Sequence, residues 1–253
     1  MKHYEELIKL GCFSRKTIVK TLGSKAAASS LIHDYLKKGY IERVRHDFYA
    51  VISLETKQPV LSRYQIGSRL FPDAYLSHHS AFEVYGYANQ VFNQVTVATK
   101  SRFSDFVYDG VLYHRIAPAS NAKTIFEGEV RLTSIEQTVV DSINDLEKQG
   151  GLEETLRCLL LVPSLNSEKI LEALNQYHKG FLYQKTGFLL ESMNPALSLP
   201  DSFFKECSRH VPLSKRYLTK DTKDLVYYRR WRLYAPKSIQ SLVNKGVKDN
   251  DSI

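Results

Sequence analysis

A chain of 253 residues with 43% hydrophobic side chains is long enough for two domains and a real core. Its formal charge of +8 is unevenly spread: +5 over residues 1–57, −4 over 58–204 and +9 over 205–248, so a polyanion would be met by the two ends. There is no apolar run of membrane length and no charged-then-apolar leader, which argues against a membrane protein and points to the cytoplasm. The three cysteines, Cys12, Cys158 and Cys207, are too far apart for a zinc or redox motif.

The first 52 residues predict three short helices and a hairpin. Residues 2–10 carry an apolar helical stripe (Tyr4, Leu7, Ile8, Leu10) that Gly11 ends. Ser14 is placed to cap a second helix through Ile18, Val19 and Leu22, and Ser24 a third with Ala27, Leu31, Ile32, Tyr35 and Leu36 on one face. Residues 40–52 have the β-branched and aromatic content of two strands with a turn at His46-Asp47. This is the layout of a winged helix-turn-helix, which puts its third helix in a DNA major groove and its hairpin on the backbone, although some such modules dock proteins instead. With that apolar face inward, Lys25, Ser29, Ser30, His33 and Lys37 point outward. Lys25, Ser29 and Ser30, near the helix start, are the candidate base readers, and Ala26 and Ala28 are small enough to permit close approach. Arg15, Lys16 and Lys20 on the second helix, with Arg43 and Arg45 on the hairpin, suit phosphates, whose contacts supply affinity and register but no sequence preference.

Residues 53–59 are polar, break the periodicity and end in Pro59, so they read as a linker. They divide a DNA-binding domain, 1–57, from an α+β domain, 58–248, whose C-terminal part is helical and ends in a basic segment. Beyond it the sequence predicts a helix over 60–70, a short extended piece at 75–76 and a helix over 78–85. A strand at 94–99 and a hairpin over 106–116 turning at Asp109-Gly110 follow. A strand at 130–132 then leads into Thr133-Ser134-Ile135-Glu136, which has the pattern of a capping box with Thr133 as cap. Helices are expected over 135–149, 152–161, 167–177 and 182–193, a strand over 225–234, a closing helix over 236–243 and a frayed end at 244–253.

The order of these parts resembles the AbiEi-type antitoxins, the antitoxin half of type IV toxin–antitoxin and abortive-infection phage-defence systems. Residues 7–11 and 39–49 look like the family's N-terminal winged helix. Residues 75–86 look like its short strand, Ser-x-x-Ser-Ala, helix and Gly, and 94–99 like the strand that follows. Residues 131–141 are similar to its Thr-Ser-x-Glu-x-Thr, helix, Asp element, and 185–191 to its Gly-aromatic-Leu-Leu-Glu helix. The resemblance extends to about Leu199. It implies an N-terminal domain that binds inverted repeats upstream of its own operon and represses it. It also implies a C-terminal domain that counters a nucleotidyltransferase-type toxin, with or without stable contact. Inverted repeats imply two copies on DNA, compatible with a monomer in solution.

The remaining clusters offer little chemistry. Adjacent helical residues point about 100° apart, so His78 and His79 do not readily share an ion, and no metal or cofactor site is expected. Ser77, His78 and Ser80 lack the strand–turn–helix elbow of a nucleophile. Glu83, Glu136, Asp141 and Glu191 show no nuclease spacing; the capping box accounts for Glu136, and Asp141 and Glu191 would pair with Arg or Lys. Lys215, Arg216, Arg229, Arg230 and Arg232 form a basic patch interleaved with Tyr217, Tyr227, Tyr228 and Trp231. On a strand, Tyr227, Arg229 and Trp231 would share one face, suited either to stacking on nucleic acid or to a core position for Trp231 under Arg stems. The expected function is a DNA-binding antitoxin that represses its own operon, and not an enzyme. The alternatives are a nucleic-acid-processing enzyme using the basic C-terminal region and a transcription factor without a toxin.

Overall fold

The computed structural model describes residues 3–221, 223–239 and 242 of the chain. It begins with α1 (Tyr4–Leu10), β1 (Cys12–Ser14), α2 (Arg15–Leu22), α3 (Lys25–Lys37), β2 (Ile41–Arg45) and β3 (Phe48–Val51). Ser14 and Ser24 cap α2 and α3 by accepting from the Thr17 and Ala27 amides. The strands form an antiparallel sheet in the order β1-β3-β2, with Cys12 opposite Ala50 and Ile41 opposite Val51. Helix–strand–helix–helix–strand–strand with this strand order is the connectivity of a winged helix. Its core gathers Tyr4, Leu7, Phe13, Ile18, Ala28, Ile32, Tyr35, Ile41, Tyr49 and Val51.

Two details depart from the sequence reading. The three residues after Gly11 form β1, too short to carry a periodic signal. Ala28 rather than Ala27 is the buried alanine of α3. Ala28, Ile32 and Tyr35 keep the i, i+4, i+7 stripe of a helix, which turns Ala27 outward with Lys25 and Ala26.

The chain divides into two compact units. The first holds Met1–Leu76, Phe92–Ala117 and Gly128–Arg131, so the winged helix shares it with α4 (Arg63–Ser68), β4 (Tyr75–Leu76), β5 (Gln94–Ala98), β6 (Phe106–Tyr108) and β7 (Val111–Ile116). β5 runs parallel to β7 and antiparallel to β4, and β6 turns back on β7 through Asp109-Gly110. The polar stretch after Ile52 is therefore not a linker between compact units. The Ser53 amide donates to Gln58 O, Ile52 bridges Pro59, and Val60 N returns to Val51 O, which makes it a tight turn. Contacts on both sides of residue 57 join the winged helix to the sheet. Leu61 lies against Gly11, where a Cβ would come within 2.4 Å of it and φ is +68°. Tyr108 OH donates to Glu42, and the Arg45 guanidinium lies over Phe71 and Phe103.

The second unit holds Ser77–Val91, Pro118–Glu127 and Leu132–Ile253. It contains α5 (His79–Tyr85), β8 (Thr124–Glu127) and the end of β9 (Val130–Thr133), then α6 (Ile135–Asn144) and a 3-10 turn, Leu146–Gln149. After these come α7 (Gly151–Leu161), α8 (Ser167–Tyr177), α9 (Gly180–Ser192), α10 (Asn194–Leu197) and α11 (Asp201–Arg209). A small sheet of β10 (Arg216–Tyr217), β11 (Leu225–Tyr228) and β12 (Leu233–Pro236) closes the described chain in the order β10-β12-β11. Helix α9 is buried continuously from Leu182 to Leu190 and has no exposed face, which marks it as the central helix of this core.

Ser134, not Thr133, caps α6, accepting from the Gln137 amide, while the Thr133 hydroxyl bonds Thr138. Glu136 reaches forward to accept the Asn166 amide at 3.2 Å instead of closing a box. A reciprocal capping box does form at α4, between Ser62 and Gln65. The expected strand over 225–234 is a hairpin turning at 229–232. Pro236 ends β12, and residues 240, 241 and 243 of the expected closing helix, with all of the expected frayed end, lie outside the described residues. No helix among the described residues is long and apolar enough to cross a membrane.

Candidate nucleic-acid interface

On α3, Lys25, Ser29, Ser30, His33 and Lys37 are all exposed, opposite the stripe that enters the core. Lys16 and Lys20 stand exposed one turn apart on α2, and Arg43 is exposed on β2. Arg15, the first residue of α2, ties the parts together. Its Nε lies 2.9 Å from the Asp47 carboxylate at the hairpin turn, and its Nη1 donates to Ser29 Oγ at 3.2 Å. Asp47 adopts a left-handed conformation (φ 56°), as the two-residue turn requires. It had no place among the expected site residues because its role is to hold Arg15.

Arg45 is placed differently from the expected phosphate contact. Its guanidinium sits 4.9 Å from the centre of the Phe71 ring and 5.5 Å from that of Phe103, and burial draws its pKa down. A bulge between Arg43 and Arg45 shifts the register of β2, and it separates an outward Arg43 from a half-buried Arg45. The aromatic partners lie 26 and 58 positions further along the chain, so no local pattern reveals them.

The C-terminal basic patch is largely tied into structure. Trp231 is 1% exposed and packs on α9 at Gly187, where a Cβ would come within 2.1 Å of the indole ring. The Trp231 Nε1–H donates to Glu191 Oε2 at 2.5 Å, and Arg230 pairs with the same carboxylate. Gly187 and Glu191 thus have a common structural reason. Of the two readings of this patch, the buried position holds for Trp231. The supposed face-sharing of Tyr227, Arg229 and Trp231 fails because residues 229–232 form the hairpin turn. Arg232, at φ 47°, donates to Pro212 O, and its carbonyl accepts from the Arg216 amide and from Gln184. Lys215 lies over Tyr227 and Arg216 near Phe181; both side chains, with Arg229, are exposed.

Two buried polar groups lie in the second unit. Asp141 accepts from Ser77 Oγ (2.9 Å), Gln137 Nε2 (2.6 Å) and Tyr177 OH (2.5 Å), so its partners are neutral donors rather than the expected Arg or Lys. Ser77 Oγ also lies 2.9 Å from His78 Nδ1; as a donor to Asp141 it is a structural hydroxyl. The second group joins α5 to α7. His79 Nδ1 is 3.0 Å from Glu83 Oε1 and His79 Nε2 is 3.0 Å from Glu154 Oε1. The Cys158 thiol donates to the same Glu154 oxygen at 3.5 Å, and burial, then the Glu154 charge, pushes its pKa up to about 12. Glu154 Oε2 is buried with no hydrogen-bond partner.

Elsewhere in this unit, Lys185 on α9 donates to Ile143 O (2.5 Å) and Asn144 O (2.9 Å), satisfying carbonyls at the end of α6. Burial lowers its pKa to about 8.

No family model and no curated protein matches the chain. Among solved structures it is similar to the crystal structure of the RV2827C protein from Mycobacterium tuberculosis. The TM-score is 0.67 and the identity 13%, over 96% of this chain and 93% of that one. At that identity the likeness describes the fold alone.

Proposed function

We propose that the protein is a DNA-binding antitoxin that represses its own operon and opposes a nucleotidyltransferase-type toxin in phage defence. The observation that carries the DNA-binding half is the outward face of α3 in a winged-helix frame. Lys25, Ser29 and Ser30 lie in the first half of a capped helix, with His33 and Lys37 further along and exposed cations on α2 and β2 beside it. A helix start presents donors suited to base edges, while Lys16, Lys20 and Arg43 supply the phosphate contacts that set register. The net charge of +5 over residues 1–57 favours a polyanion partner. The preferred target is an inverted repeat upstream of the gene, bound by two copies.

The antitoxin half rests on the ordered resemblance of residues 7–199 to AbiEi-type antitoxins. In this reading the protein is cytoplasmic and performs no catalysis of its own.

A reporter driven by the gene's own upstream region tests the first half. Expression of the protein should lower the signal, and Lys25→Ala with Ser29→Ala should restore it at equal protein level. Unchanged repression by that double variant removes α3 as the reading helix. Co-expression with a neighbouring nucleotidyltransferase tests the second: growth should be rescued by the parent and by the double variant alike. Failure of both to rescue would leave a regulator without a toxin.

A further inference from the structure

We infer that His79, Glu154 and Cys158 form a buried site for one divalent transition-metal ion of the zinc class, with Glu83 orienting the histidine. The inference is independent of the DNA-binding reading. Two helices each contribute a pair at a spacing of four: His79 and Glu83 from α5, Glu154 and Cys158 from α7. Residues four apart stand one above the other on a helix face, so two such pairs in apposition make a compact donor set. The adjacent histidines His78 and His79 had no such spacing between them, and the second pair lies 75 positions beyond His79. A local reading of the sequence has no means of joining them.

The dimensions suit a metal. One atom from each of His79, Glu154 and Cys158 lies within 4.8 Å of the other two, with 3.0 Å between the imidazole and carboxylate and 3.5 Å between the carboxylate and thiol. In a tetrahedral zinc site with bonds of about 2.0–2.3 Å, neighbouring ligand atoms stand about 3.3–3.8 Å apart. The first two separations are within a few tenths of an ångström of that shell, and the imidazole–thiol separation, at most 4.8 Å, reaches it by a change of about 1 Å. Imidazole, carboxylate and thiolate together favour zinc over magnesium or calcium, which take oxygen ligands.

Two further features point to a ligand rather than to a closed hydrogen-bond cluster. Glu154 Oε2 is buried and has no partner, although a carboxylate oxygen out of water strongly demands one. Its unused acceptor capacity suits a water molecule that would fill the fourth position. Glu83 stands on the other ring nitrogen of His79, the carboxylate–imidazole arrangement that fixes ring orientation at metal centres. The three ligand residues are each at most 3% exposed, so the ion would brace α5 against α7 rather than meet substrate.

Binding deprotonates the Cys158 thiol and forms a metal–sulfur bond, with the proton released to solvent. The test uses the full-length protein, purified without a metal-affinity step. Zinc content should approach one ion per chain. After removal by chelator, cobalt(II) should restore one equivalent with thiolate-to-cobalt charge-transfer absorption. Cys158→Ser should lose that absorption, whereas Cys12→Ser and Cys207→Ser should keep it. Glu83→Gln, which leaves all three ligands in place, should weaken metal affinity by about 10–100-fold. X-ray absorption of the zinc-loaded parent needs no variant and should show one sulfur at about 2.3 Å among lighter donors. A parent that takes up less than a tenth of an equivalent overturns the site. So does a zinc shell without sulfur, or a cobalt–thiolate band that survives Cys158→Ser.

Discussion

Arg45 shows how a single contact reassigns a residue. A cation on the hairpin of a winged helix invites a phosphate, but this guanidinium already spans two aromatic rings and has given up part of its water. Arg43, two positions earlier, is exposed on the hairpin's first strand. Arg43→Ala should therefore weaken binding to all duplexes alike and flatten the salt slope by about one unit. Arg45→Ala should leave that slope nearly unchanged and lower the denaturation midpoint instead. Salt titrations of the two variants, with their urea curves, separate these outcomes; a reduced slope in Arg45→Ala would return it to the phosphates. Lys185 gives a pH test of the second unit. Its folded pKa of about 8 lies below the ordinary 10.5, so between those values the unfolded chain binds a proton that the folded one has lost. Stability from this group should rise as pH goes from 8 towards 10.5 and be lost as pH falls back through 8. In Lys185→Met that rise should vanish, so the difference between parent and variant in urea midpoints should widen from pH 7.5 to 10. Parallel profiles would contradict the depressed value.

At the scale of elements, α3 is the testable unit. Lys25→Ala or Ser29→Ala should reduce preference for the operator over a scrambled duplex by about 1–3 kcal/mol if these side chains reach base edges. Ser29 now holds Arg15, so its loss should also free Arg15 from α3; the Asp47 contact would remain. Competition binding with both duplexes measures the preference directly, and an unaltered ratio would move the reading role elsewhere. The capped helices were legible because a serine before an apolar stripe is a local pattern, as in α2 and α3. The Asp109-Gly110 hairpin was legible for the same reason. What was missed was short: β1 has three residues. Residues 225–234 have the composition of one strand but break at an Arg-rich turn. The stripe of α3 was read one residue out of phase at Ala27 and Ala28, which left Lys25 and Ser29 outward in either phase. The candidate metal ligands could not be read at all, because His79 meets Glu154 only through tertiary packing.

At the scale of the molecule, the winged helix belongs to a larger compact unit, and this changes how its separability should be judged. Deleting residues 1–57 would remove Gly11 from beneath Leu61, Glu42 from Tyr108 and Arg45 from Phe71 and Phe103. The truncated chain should melt at lower temperature than the parent and expose apolar surface to a hydrophobic dye. A truncation as stable as the parent would mean that these contacts contribute little. Whether the proposed repression and antitoxicity separate is therefore better tested with surface variants of α3 than by deletion. The charge pattern leads to the same interface: the N-terminal 57 residues carry +5 and the remaining parts of their unit +2, so attraction of that unit to a polyanion centres on the winged helix. Binding of the purified protein to its own upstream DNA and to a scrambled duplex, at two salt concentrations, tests this most directly. A preference for the upstream sequence that persists at the higher salt is the predicted result. Equal binding to both duplexes that collapses together as salt rises would contradict the assignment of α3 as a reading helix.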